Sequence, residues 1–229
     1  MSSLEETIRT RFARYDNTKG LDHVRKAFEA TMTARDRFIA KAKEVGNDAR
    51  KSPLGRQETL RDYVKENAHQ VRRAQMTLSK IKARHTADRE KLLPKMDPAN
   101  ADLRREARQI IREQKSPAAR MNLLLAGAPD PMFMAAALEA SNVMSGIDDV
   151  TRKLVFERLV EMTSPGALAA WETRGDAIEH LEVVAQMFEG SAQTIADIPP
   201  NAFDTFLSDA IGDTSRLDAD IEAQLASAA

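Results

Sequence analysis

No cysteine occurs among the 229 residues. That excludes a disulfide framework and any thiolate metal site. Aromatic residues make up only 5% of the chain, so a core has to rely on Leu, Ile, Val, Ala and the ten Met. No apolar run approaches the roughly 20 residues of a membrane helix. The most apolar stretches, around Leu123 to Leu125 and Met132 to Leu138, are far shorter, and no membrane contact is expected. Sustained β-branched alternation is missing as well, so the chain predicts no sheet.

Chemical motifs are equally scarce. There is no GxxxxGKS/T loop, no GxGxxG, no GxSxG elbow and no HExxH. The four histidines, His23, His69, His85 and His180, are nowhere three or four residues apart on one helix. Asp16-Asn17-Thr18-Lys19-Gly20 resembles the start of a calcium loop, but its closing position is Ala27 where a Glu is needed. No catalytic, cofactor-binding or metal-ligating residue is assigned, and no cofactor or small-molecule ligand is expected. The opening residues, Met1 to Glu6, carry no basic or apolar segment of an export signal. The expectation is a non-enzymatic protein, cytoplasmic or incorporated into a virion assembled in the cytoplasm.

What the chain does have is helical periodicity. Leu60, Val64, Val71, Ala74, Leu78 and Ile81 step by four and three, with Asn67 filling the one gap. That is a heptad seam. No Pro or Gly interrupts residues 60–92, which predicts one helix of roughly 50 Å. Leu21, Val24, Phe28, Thr31, Arg35, Phe38, Ala42 and Val45 form a second seam. Between them, Gly46 to Gly55 contains an Asn-Asp cluster and Ser52-Pro53, which signal a turn. Folded back there, Val24 opposes Leu78, Phe28 opposes Ala74 and Phe38 opposes Val64. The two polar intrusions, Arg35 and Asn67, also meet, with Glu66 alongside. Pairing within one chain is favoured over pairing between chains.

The remaining helices are read from their caps. Ser3-Leu4-Glu5-Glu6 is a capping box, and residues 4–15 are placed over His85 to Leu92. Asp97-Pro98, Ser116-Pro117, Asp130-Pro131 and Ser164-Pro165 put an N-cap before an N1 proline, with Pro199-Pro200 a looser form. Helices are predicted at 98–114, 117–126, 131–141, 148–163, 165–190, 201–211 and 214–226. The fold class is therefore all-α: a long antiparallel coiled-coil hairpin followed by an orthogonal bundle of shorter helices. Residues 1–94 form the first domain, an N-terminal helix and the basic hairpin. Residues 95–229 form the second, mostly acidic, with 98–115 as a connector helix.

Charge is strongly divided. Residues 1–115 carry 28 Lys and Arg against 17 Asp and Glu; residues 116–229 carry 6 against 18. The halves are thus +11 and −12, and are expected to face each other between neighbouring copies. The candidate partner-binding face lies on the hairpin: Lys65, Arg72, Arg73 and Lys80 at outward heptad positions, then Lys82, Arg84 and Arg89. No aromatic residues interleave with them for base stacking. Nucleic-acid contact, if made, is to the backbone. It ranks behind contact with other copies of the chain and with other proteins of a larger assembly.

The run Asp130-Pro131-Met132-Phe133-Met134-Ala135-Ala136-Ala137-Leu138-Glu139-Ala140 is followed by Met144-Ser145-Gly146-Ile147 and preceded by the Arg-rich Leu103 to Arg112. Together these resemble a segment of uncharacterised helical proteins from phage and prophage virion gene regions, over about residues 100–160. The resemblance implies a virion component or assembly factor, with no active site to carry over. The expected function is a structural or assembly protein, a phage virion or neck component acting in multiple copies. The alternative is a module gripping nucleic-acid backbone or an acidic protein through the hairpin.

Overall fold

The computed structural model describes residues 3–227, and the side chains from Glu5 onward. Among these residues there are twelve α-helices, one 3-10 turn and no strand. The helices are α1 (Ser3–Ala13), α2 (Asp22–Gly46), α3 (Pro53–Glu66), α4 (Ala68–Glu90), α5 (Ala101–Glu113) and α6 (Pro117–Leu125). They continue as α7 (Pro131–Glu139), α8 (Asn142–Ser145), α9 (Asp149–Thr163), α10 (Ala167–Ala196), α11 (Pro200–Ile211) and α12 (Ser215–Ser227). The chain is all-α. The capping box expected at Ser3 rests on a side chain outside the described residues.

Local chemistry sets most boundaries. Ser52, Asp97, Ser116 and Asp130 each accept a backbone N–H at the start of the following turn, ahead of a proline. Asp148 does the same for Thr151 without one. Ser164-Pro165 behaves otherwise: Ser164 terminates α9, and Gly166 turns through φ 78° before α10 opens at Ala167. The expected single helix over 60–92 is interrupted at Asn67, which ends α3 with φ −104° and ψ 13°. Its Nδ2 donates to the Tyr63 carbonyl, and its Oδ1 accepts from Gln70. An Asn side chain competes with the backbone for such bonds, so the one polar gap in the seam is also the break in the helix.

Two compact units divide the chain: Met1–His85 with Arg174–Ala229, and Thr86–Thr173. This differs from the expected cut near residue 94. α4 does end ahead of Pro94, at Glu90, and Pro98 opens the 3-10 turn, but α11, α12 and most of α10 return to the first unit. An amphipathic stripe shows that a helix has a partner, not which partner.

In the first unit the seam residues Val24, Phe28, Phe38, Val64, Val71, Ala74 and Ile81 are buried. They do not close on each other alone. Ile178, Leu181 and Val184 of α10 join Val24, Phe28 and Ile81 in one cluster. Phe188 and Ala192 join Phe38, Val64 and Val71 in another, together with Phe203 and Leu207 of α11. Phe38 meets Tyr63 and Phe188 edge-on, with centroids 5.2 and 5.0 Å away. The helix α1 lies on α2 and α10. Phe12 stacks on Phe28, and Ile8 and Tyr15 enter the same cluster.

The second unit is organised on α7. Met134 to Leu138 are all buried, as a helix apolar on every side requires. Ile111 of α5, Leu124 of α6 and Val155, Leu159 and Val160 of α9 surround it. Arg152 reaches from α9 to the C-terminal end of α7 and donates to the carbonyls of Leu138 and Ala140 at 2.5 and 2.7 Å. A cation there satisfies open carbonyls and opposes the helix dipole.

Candidate partner-binding face

On α4, a helix without Pro or Gly, Arg72, Arg73, Lys80 and Arg84 share one face, and Lys82 projects from another. Most of these cations meet the acidic C-terminal segment. Residues 200–229 hold Asp204, Asp209, Asp213, Asp218, Asp220 and Glu222 against a single basic residue, Arg216.

The pairing is specific. Arg72 meets Asp204 at 2.9 Å and donates to Ser208 Oγ at 3.0 Å. Arg73 donates to Gln224 Oε1 at 3.0 Å. Lys80 lies between Asp218 at 2.8 Å and Glu222 at 2.6 Å. Arg84 takes the other Glu222 oxygen at 2.5 Å, and Lys82 meets Glu182 of α10 at 2.6 Å. Lys65 is exposed and without an ionic partner among the described residues. Arg89 belongs to the other unit, where its guanidinium lies 4.5 Å from the Phe156 ring centroid and 5.8 Å from that of Trp171.

Electrostatics follow the geometry. The hydrogen bonds to Asp218 and then Glu222 raise the Lys80 pKa above its ordinary value. Those from Lys80 and then Arg84 hold the Glu222 carboxyl below its own. Each charge favours the ionised form of the other. The charge division predicts contact between neighbouring copies; these ion pairs lie within one chain. Missing from the sequence reading were the individual partners Asp204, Glu182, Asp218 and Glu222. For Asp204, Asp218 and Glu222 the signal was the acidity of the last thirty residues; Glu182 lies earlier, on α10.

A second ionic group stands in the other unit. Glu139, at the end of α7, receives Arg104 Nε and Nη2 at 3.0 and 3.1 Å and Arg108 Nη1 at 2.7 Å. The Arg104 bond is the main cause holding the Glu139 carboxyl below its ordinary value, against the opposing effect of burial.

Apolar exposure is concentrated in that unit too. Among the described residues ten large hydrophobic side chains are exposed, and eight of them fall within 86–173. Four of the eight, Val143 and Met144 of α8 and Val150 and Leu154 of α9, fall within twelve residues of sequence, with Val143 88% and Val150 70% exposed. A hydrogen bond from Asn142 to Asp149 ties the two helix starts together.

No group of three or more His, Asp or Glu among the described residues is placed to hold a metal ion, and no described helix is long and apolar enough to cross a membrane. Comparison with protein-family models, with characterised proteins and with solved structures gives no match for this chain.

Proposed function

We propose that this chain is a structural or assembly protein acting in multiple copies, a phage virion or neck component in its most concrete form. The observation that carries the reading is the exposed group Val143, Met144, Val150 and Leu154 on α8 and α9. Clustered exposed apolar side chains mark contact surfaces, whereas single ones need no explanation. Within the first unit, α2 and α3–α4 act as an antiparallel helical hairpin. The Phe38–Tyr63 contact and the shared cluster of Val24, Phe28 and Ile81 support that arrangement. The engagement of Arg72, Lys80, Lys82 and Arg84 by the chain's own carboxylates favours this reading over a grip on nucleic-acid backbone, which needs cations free to displace counterions.

Light scattering on size-exclusion fractions of the full chain tests it. Multiples of 25.4 kDa are expected, falling to a monomer in a Val143→Asp, Val150→Asp variant that keeps its helical circular dichroism. A wild-type chain that stays at one copy at every concentration overturns the reading. Binding of random-sequence duplex DNA with a steep salt slope favours the hairpin-grip alternative.

A further inference from the structure

An apolar groove runs between α2 and α10 in the first unit, with a cavity volume of about 610 Å³. Arg35, Ile39, Ala42 and Lys43 line it from α2; Gly190 and Ile195 are among those lining it from α10. On each helix the lining positions recur at three- and four-residue steps, so a single face of each forms the walls.

The upstream part of the same pair of helices is already occupied, by α1. There Ile8, Phe12 and Tyr15 pack on Val24 and Phe28 of α2 and on Ile178 and Leu181 of α10. Glu5 then gives its carboxylate to Arg35 at 2.6 Å, and Arg35 is the first lining residue of the open groove. The groove therefore continues the track on which an amphipathic helix with an acidic residue is seated.

Two further features point outward. Gly190 lies mid-helix without the positive φ that favours glycine, and an added Cβ would meet nothing within 4 Å. Glycine is among the poorest residues for a helix interior, and no neighbour in this chain needs its space. Gly175, by contrast, makes room for the His85 ring. The lining holds no carboxylate and two cations: Arg35, whose charge Glu5 already answers, and Lys43, which meets no carboxylate among the described residues. Arg35 is 8% exposed, and its Nε makes no hydrogen bond.

We propose that the groove between α2 and α10, floored at Gly190 and flanked by Arg35 and Lys43, receives an acidic amphipathic helix of another protein, laid along the track that α1 begins. The missing side chain at Gly190 lets the incoming backbone approach closely. Apolar residues at helical spacing fill the groove, and a carboxylate reaches Lys43. This is helix-in-groove recognition, and it rests on the assembly reading for its partner.

The test titrates the full chain with a fluorescein-labelled peptide of about 16 residues, long enough to hold a helix. It carries Leu along one face and Glu elsewhere; a second peptide has Lys in place of Glu. At low salt the acidic peptide is expected to bind at least roughly tenfold more tightly than the basic one. Gly190→Leu fills the groove and weakens binding by a similar factor without lowering the melting temperature, and Lys43→Glu weakens it too. No binding of the acidic peptide, equal binding of the two peptides, or undiminished binding by Gly190→Leu overturns the proposal. Light scattering on the same samples keeps the two readings apart. A chain that binds the acidic peptide at the groove yet stays monomeric sustains this proposal while removing self-assembly.

Discussion

Arg35 Nη1 donates to Glu5 Oε1 at 2.6 Å, joining α2 to α1, and both side chains are only 10% exposed. The sequence pointed to Asn67 and Glu66 as the groups that answer Arg35. Glu5→Ala leaves the guanidinium buried without its partner, which typically costs about 3–5 kcal/mol. Replacing both residues by Leu is expected to restore most of that loss, because the desolvation of two charges disappears with their attraction. Urea unfolding of the two variants decides it. A double variant as unstable as Glu5→Ala shows that the pair specifies how α1 seats.

Freeing the cations of α4 is expected to create the affinity that the wild-type chain keeps masked. Asp218→Asn with Glu222→Gln removes both carboxylates from Lys80 and the one from Arg84. The double variant should bind labelled duplex DNA more tightly than wild type, with a salt slope steeper by one to two phosphate equivalents. Unchanged binding means that α11 and α12 cover α4 by shape as well as by charge.

The ionic groups also set a pH dependence. Glu222 and Glu139 titrate below their ordinary 4.5 in the folded chain. Their stabilisation is present above that value and is lost as the pH falls through the lower, folded one. Lys80 is raised above 10.5, so its contribution is complete below 10.5 and lost as the pH rises through the raised value. Urea midpoints should be flat around neutrality and fall at both extremes. Glu139→Gln with Glu222→Gln should make the acid limb shallower, whereas an unaltered limb assigns the loss to other carboxylates.

Glycine replacement separates the two helical glycines of α10. Gly190→Ala meets nothing within 4 Å and should gain about 0.5–1 kcal/mol in helix propensity. At Gly175 an added Cβ lies 3.2 Å from His85 Nε2, so Gly175→Ala should gain less or lose. Equal gains from thermal unfolding would mean that the His85 ring moves aside freely.

Helices were the legible part of this chain, because their signals are local. Asp97, Ser116 and Asp130 with their prolines marked three starts, and the heptad steps marked which residues of α2 and α4 are buried. The break at Asn67 was visible as a polar gap but read as a tolerated intrusion. What stayed illegible was the assignment of helices to units. Leu207 and Ile221 each show an apolar stripe, yet nothing in the stripe says that it faces α2, α3 or α4. Nor does counting charges say whether Glu222 reaches Lys80 of its own chain or of a neighbour. That depends on the path of the backbone between them.

The division Met1–His85, Thr86–Thr173, Arg174–Ala229 has a consequence for the order in which the chain folds. The middle segment is continuous and holds its own core, so it can close as soon as it is synthesised. The first segment cannot: Val24, Phe28 and Phe38 wait for Ile178, Leu181 and Phe188. Bridging a flexible loop of nearly ninety residues costs on the order of 4 kcal/mol in closure entropy. Prior collapse of the middle segment shortens that effective loop. Until α12 emerges, Lys80 and Arg84 lack the carboxylates they meet in the finished protein. A nascent chain halted before residue 174 is therefore a more basic, stickier molecule than the one released.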